Sequence, residues 1–143
     1  MKSFGPTLCG EWSQADTDCT TYLNDVGAGT RWEGTLHSTD RSPSVLRPSC
    51  PAKSSACSCA DANADPSSYS DAYKAWLMTN AEAQMSSYET AWGWFYWTWK
   101  TEGATQWDWQ AGMKAGILPK RVWERGFNCT GNVPGFDGLS ENY

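Results

Sequence analysis

Residues 7 to 13 read Thr-Leu-Cys-Gly-Glu-Trp-Ser and set Glu11 between a glycine and a tryptophan, where a short apolar run gives way to polar residues. Further along, Trp97 and Trp99 alternate through the aromatic stretch 93–100, Gly-Trp-Phe-Tyr-Trp-Thr-Trp-Lys. A carboxylate beside indole rings makes a workable sugar site. The ring faces cover the apolar C–H patches of a pyranose, and the carboxylate can attack the anomeric carbon or stabilise positive charge developing there. The same residues fit plainer roles: Glu11 as a charge where a strand meets water, Trp97 as core filling. Glycoside chemistry generally needs two carboxylates, so Glu11 also raises the question of its partner.

For these side chains to meet, the elements carrying them must end side by side. Residues 5–12, Gly-Pro-Thr-Leu-Cys-Gly-Glu-Trp, read as a brief buried strand ending at Glu11 or Trp12. From 13 to 69 the chain is rich in Ser, Thr, Asp, Gly, Pro and Cys, and little sustained periodicity survives beyond a helical turn expected near 20–23. We read 13–69 as one long loop, and such loops are usually functional or stapled. Ser70 and Asp71 make a good helix start, and Tyr73, Trp76, Leu77, Ala81, Gln84, Met85, Tyr88 and Trp92 recur at helical spacing, which predicts a helix over 70–91 with a core-facing stripe. Residues 93–100 then read as a strand with Phe95, Trp97 and Trp99 on one face and Trp94, Tyr96 and Thr98 on the other. A short helix over 107–115, a stop at Pro119 and an irregular tail over 122–143 complete the chain.

This order amounts to two β/α units, and it favours parallel strands in an α/β protein. Two parallel strands leave their edges open and cannot cover the long helix from below, so further structure should flank them. A (β/α)8 barrel takes about 250 residues, so a chain of this length holds only part of one. In such barrels the active site lies where strands hand over to loops, which would bring Glu11 and the Trp97/Trp99 pair together.

Composition narrows the function classes. At 143 residues the prior is one domain. A net charge of −5 without a basic stripe argues against nucleic acid and anionic membrane surfaces as partners. No apolar stretch approaches the roughly 20 residues of a membrane span, and the first ten residues lack the features of a signal peptide. Six cysteines nevertheless suit an oxidising compartment. Together these imply an exported protein whose natural amino terminus lies elsewhere. Asn128-Cys129-Thr130 fits the pattern of an N-glycosylation acceptor. Cys50, Cys57 and Cys59 with His37 do not match structural-zinc spacing, and no metal is expected. Six cysteines allow fifteen pairings, of which Cys19 with Cys50 is the preferred bridge because it would close the loop after the first strand. Cys57 and Cys59 would pair with each other only with difficulty, and an upstream partner for Cys129 is one option the sequence leaves open.

Three segments carry a family resemblance: Gly-Glu-Trp-Ser-Gln-Ala-Asp-Thr-Asp-Cys at 10–19, the run 80–102 and the run 106–120, Gln-Trp-Asp-Trp-Gln-Ala-Gly-Met-Lys-Ala-Gly-Ile-Leu-Pro-Lys. In this order they resemble the carboxy-terminal part of fungal exo-β-1,3-glucanases, the glucan 1,3-β-glucosidases of glycoside hydrolase family 5. The resemblance runs from about Gly5 to the tail. The cysteine-bearing segment 47–65 is more variable in that family, and no role is carried over to it.

That resemblance implies a (β/α)8 barrel that hydrolyses β-1,3-glucan from the non-reducing end, releasing glucose with retention and without metal or organic cofactor. The strands read above would be its seventh and eighth, making residues 1–143 part of a catalytic domain. It implies that Glu11 is the nucleophile and that Trp97, first Trp of a Trp-Ser-Trp-Lys motif in which Thr98 replaces Ser, lines the sugar site, with Trp99 a second candidate. The general acid/base of the family is a Glu in an Asn-Glu-Pro motif on strand four, and this sequence contains no Asn-Glu-Pro. Retaining hydrolysis needs carboxyls about 5 to 5.5 Å apart. Glu102 and Asp108 are the nearest substitutes, although a surface charge is the usual reading of each. The chain is therefore expected to be inactive alone, lacking the amino-terminal barrel portion, with its parent enzyme outside the cell or in the cell wall. The alternative is a non-catalytic secreted module, either carbohydrate-binding through exposed Trp residues or a disulfide-rich interaction protein.

Overall fold

The computed structural model describes residues 5–39, 43–60, 62 and 64–139. Its regular elements are β1 (Cys9–Trp12), α1 (Asp71–Tyr88), β2 (Trp94–Tyr96) and α2 (Trp109–Ala115), with single 3-10 turns at Pro66–Ser68 and Thr105–Trp107. The class is mixed α/β with a two-stranded sheet. The described residues divide into two compact units, one of 5–14 with 66–138 and one of 15–65 with Leu139. Most of the stretch read as one long loop falls in the second unit, where turns and disulfides give it order of its own.

In the first unit, α1 begins where the sequence places it. The Ser70 side chain accepts a hydrogen bond from the Tyr73 N–H at 3.1 Å, and Asp71 adds negative charge to the first turn, where the helix dipole favours it. Tyr73, Leu77, Ala81 and Met85, four residues apart, are all buried. The helix ends at Tyr88 rather than near 91. Beyond it the Thr90 hydroxyl donates to the Ser87 carbonyl at 2.7 Å, and the Trp92 N–H donates to Thr7 O at 3.0 Å, drawing the chain toward β1. Trp92 is consequently 71% exposed instead of completing the stripe. Gly93, at φ 118°, makes the reversal into β2 that a side chain would hinder.

β1 and β2 pair in parallel, Cys9 opposite Trp94 and Trp12 opposite Tyr96. Trp12 packs edge-on against Trp94 (5.3 Å between ring centroids) and Tyr96 (5.0 Å), and Trp109 meets Tyr96 at 5.1 Å. With Ala81, Met85 and Leu118 these rings form the core under the sheet, each aromatic pair adding about 0.5–1.5 kcal/mol beyond its buried area. Gln14 is fully buried, and with its amide nitrogen turned toward the Ile117 and Leu77 carbonyls it donates to them at 2.9 and 3.3 Å. α2 stops at Gly116, whose left-handed φ of 76° closes the helix before Pro119. The described part of the tail after Val122 has no regular element. Glu82, buried in α1, holds it by accepting from the N–H groups of Gly126 (3.0 Å) and Phe127 (2.7 Å).

The second unit owes its order to polar contacts and disulfides rather than periodicity. The Asp18 carboxylate accepts from the N–H groups of Arg31 (2.7 Å) and Trp32 (2.9 Å) and from the Asn24 amide (2.9 Å). Burial alone would raise its pKa, but these bonds and the Arg31 charge outweigh burial and hold the carboxyl below its ordinary range. A turn closes where one was expected, the Leu23 N–H donating to Thr20 O at 3.1 Å. Two disulfides join Cys19 to Cys59 and Cys50 to Cys57. This corrects the expected Cys19–Cys50 bridge. Glu33 accepts from the Cys59 N–H at 2.8 Å, which carries Cys59 to the segment that Asp18 organises. Turns at 50–53 and 54–57 meanwhile fold Cys57 back onto Cys50. Cys9 and Cys129 are free thiols.

Candidate functional site

Glu11 owes its aim to an irregularity in β1. From Cys9 to Trp12 the first strand takes three steps while β2 takes two from Trp94 to Tyr96, so β1 carries an extra residue at this point. Gly10 and Glu11 are both exposed as a result, and Trp12 turns inward to 5% exposure. A β-bulge re-aims a side chain in this way, and bulges are over-represented next to active sites. Beyond the last pair the Trp97 N–H donates to Trp12 O at 2.8 Å, so Glu11 and Trp97 share the carboxy-terminal edge of the parallel pair.

The predicted alternation of faces continues past the end of β2. Phe95, Trp97 and Trp99 are exposed, at 62%, 54% and 63%, while Trp94, Tyr96 and Thr98 are half-buried. Trp97 and Trp99 thus present indole surface to solvent instead of filling the core. The strand itself is shorter than 93–100 because Thr98 changes partner. Its N–H donates to Trp107 O at 2.5 Å and its carbonyl accepts from the Trp109 N–H at 2.9 Å, after a cis peptide between Trp97 and Thr98.

Of the two substitute carboxylates, Glu102 is exposed in the turn after β2 and Asp108 is buried. Asp108 has a structural occupation. It caps α2 by accepting from the Ala111 N–H (2.7 Å), and its other oxygen accepts from the Thr101 N–H (2.6 Å) and hydroxyl (3.3 Å). Burial would raise its pKa, but these bonds more than offset burial and keep it ionised below the ordinary carboxylate value. An acid held in that way is a poor proton donor near neutrality.

Polar contacts beneath the sheet fix the aromatic floor. Tyr96 Oη donates to Gln106 O at 2.5 Å, and Gln106 Nε2 donates to Tyr73 Oη at 2.7 Å. Burial pushes the Tyr96 phenol far up, a backbone bond from Gln14 opposes it and the Asp108 charge adds to it. Glu89, immediately after α1, accepts from Trp94 Nε1 at 3.1 Å and forms an ion pair with Arg125. Neither Glu89 nor Glu82 stands out in the sequence, since each reads as an ordinary helix acid; the one available signal was that position 82 lies between the apolar positions 81 and 85. Asn128 lies exposed in the tail. In the other unit the His37 ring lies 2.9 Å from Pro43 O, while Cys50, Cys57 and Cys59 are all in disulfides. Among the described residues no group of three or more His, Cys, Asp or Glu could hold a metal ion, and no helix is long and apolar enough to cross a membrane.

No family model matches the chain. Curated proteins do. Over 142 residues it is 57% identical to a protein of Aspergillus terreus named "Probable glucan 1,3-beta-glucosidase D" and 56% identical to one of the same name from Aspergillus clavatus. A third, from Aspergillus niger, is 52% identical over 141 residues. This chain is homologous to the carboxy-terminal region of those glucosidases. Each alignment takes in 98% of the chain but only 16% of the glucosidase's length. The matched region includes both strands, both helices and the disulfide-bearing segment.

Proposed function

We propose that the chain is the carboxy-terminal part of a retaining exo-β-1,3-glucanase, contributing strands seven and eight of a (β/α)8 barrel that acts on β-1,3-glucan outside the cell or in its wall. The observation that carries this reading is the parallel β1/β2 pair with Glu11 on its bulge and Trp97 at the same edge. The names of the homologous glucosidases and the presence of two disulfides support it. Glu11 attacks the anomeric carbon while a carboxylic acid elsewhere in the enzyme protonates the departing glycosidic oxygen. Water then hydrolyses the resulting ester between Glu11 and glucose, and the second carboxylate takes its proton. Trp97, aided by Trp99, offers the apolar face of an indole to the sugar ring.

The acid/base glutamate belongs to an earlier strand of the barrel, so the chain by itself holds half of the mechanism and does not hydrolyse glucan. A chimera tests this: the Aspergillus terreus relative with its matching region replaced by this chain. It should release glucose from linear β-1,3-glucan and lose that activity with Glu11→Gln. Glucose release by the 143-residue chain alone, abolished by Glu11→Gln, would contradict the reading.

The exposed indoles favour a second reading, a glucan-binding module without catalysis. Polysaccharide pull-down separates the two. Retention of the chain that survives Glu11→Ala but fails with Trp97→Ala supports binding alone.

A further inference from the structure

We propose that Asn128 accepts an N-linked oligosaccharide. Asn128-Cys129-Thr130 is the one Asn-x-Ser/Thr tripeptide in the sequence, and all three residues are exposed, as are positions 131–135 after them. The local geometry suits the transfer. Asn128 Oδ1 accepts from the Thr130 hydroxyl at 2.6 Å and from the Thr130 N–H at 3.2 Å, a turn that Cys129 completes at a left-handed φ of 61°. Both bonds draw electron density toward Oδ1 and make the amide N–H more acidic. Asn128 Nδ2 has no hydrogen-bond partner among the described residues, so it is open to reaction. Ser86 of α1 pins the turn by donating to Asn128 O at 2.9 Å. It does so from outside the set of α1 residues that face the core. A bulky glycan at Asn128 would thus project into solvent without disturbing the aromatic packing.

The co-reactant is an oligosaccharide carried on a polyprenyl diphosphate. Asn128 Nδ2 attacks C1 of the first sugar, and an N–C1 bond forms as the C1–O bond to the diphosphate breaks. The polyprenyl diphosphate leaves with the bonding pair, and the amide proton passes to a base of the transferring enzyme. The two disulfides suit the oxidising lumen in which such donors are used. The proposal does not depend on Glu11 or on hydrolysis.

The test directs the full chain into the secretory lumen of a yeast behind a cleavable leader and reads its mass before and after an amidase that removes N-glycans. The parent should lose one glycan on treatment, and that shift should be absent in Asn128→Gln and Thr130→Ala. Cys129→Ser should keep it, because the hydroxyl that matters is Thr130's. Pro134→Ser supplies an internal standard, creating a second acceptor at Asn132 in the same exposed tail. A glycan at Asn132 with Asn128 bare would overturn the proposal; glycans at both positions support it.

Discussion

Removing the Asp108 carboxylate should destabilise the first unit without touching glycoside chemistry. The carboxylate meets three donors: the Ala111 N–H at 2.7 Å on one oxygen, the Thr101 N–H at 2.6 Å and the Thr101 hydroxyl at 3.3 Å on the other. Asp108→Ala removes a helix N-cap, about 1 kcal/mol, and strands the Thr101 N–H, about 1–3 kcal/mol, for a total of about 2–4 kcal/mol. Asp108→Asn keeps one oxygen to cap α2 but turns an NH2 group toward Thr101, so its loss should be about 1–2 kcal/mol. Urea unfolding followed by tryptophan fluorescence reads this directly, since every Trp except Trp32 lies in this unit.

The pH dependence gives a second check on Asp108. Its folded pKa lies below the ordinary 3.8, so the carboxylate's contribution is complete above that value and disappears as pH falls through the folded pKa. The gap between parent and Asp108→Asn should be full at pH 7, begin to narrow below about pH 4 and close only as pH falls through the folded pKa. An Asn variant as stable as the parent at pH 7 would refute the capping argument and return Asp108 to the list of catalytic acids.

Other outcomes follow from the same contacts. Replacing both cysteines of the Cys19–Cys59 bridge, a separation of 40 residues, should destabilise the second unit by about 4 kcal/mol in the chain-entropy picture. The Cys50–Cys57 bridge spans 7 residues and should contribute about 2 kcal/mol; equal losses for the two pairs would count against that ordering. Glu82→Gln leaves one acceptor oxygen for two N–H donors, so limited proteolysis should cut near Gly126 sooner than in the parent, and unchanged protection would contradict the anchoring role. Glu11→Gln, at an exposed position, should shift unfolding by less than about 0.5 kcal/mol; a loss above 2 kcal/mol would make Glu11 a structural charge.

The parts of the fold that sequence made legible rest on local physics. Ser70 and the four-residue spacing from Tyr73 to Met85 announce α1, and alternation along 94–99 separates the indoles that face solvent from the rings that pack. The end of α1 was less visible, since it depends on Trp92 being drawn to Thr7, a contact with a distant segment. The bulge was not legible either, because four residues of β1 are too few for alternation to register an extra one. The order of 15–65 hides for a different reason: Asp18 organises it through backbone N–H groups, and any sequence supplies those. Cysteine spacing could not choose Cys59 over Cys50 as the partner of Cys19, because that choice depends on Glu33 binding the Cys59 N–H. Local pattern singles out Glu11 and Trp97, and motif resemblance supplies the roles expected of them. What the strands add is the parallel edge on which both stand.

Covalent trapping tests the central claim most directly. A 2-deoxy-2-fluoroglucosyl donor with a good leaving group slows hydrolysis of a glycosyl-enzyme ester, so the chimera of the Aspergillus terreus relative with this chain should accumulate one adduct. Proteolysis and mass spectrometry should locate that adduct on Glu11, and Glu11→Gln should abolish it. Labelling of a different carboxylate, with Glu11 unmodified in an active chimera, would contradict the account.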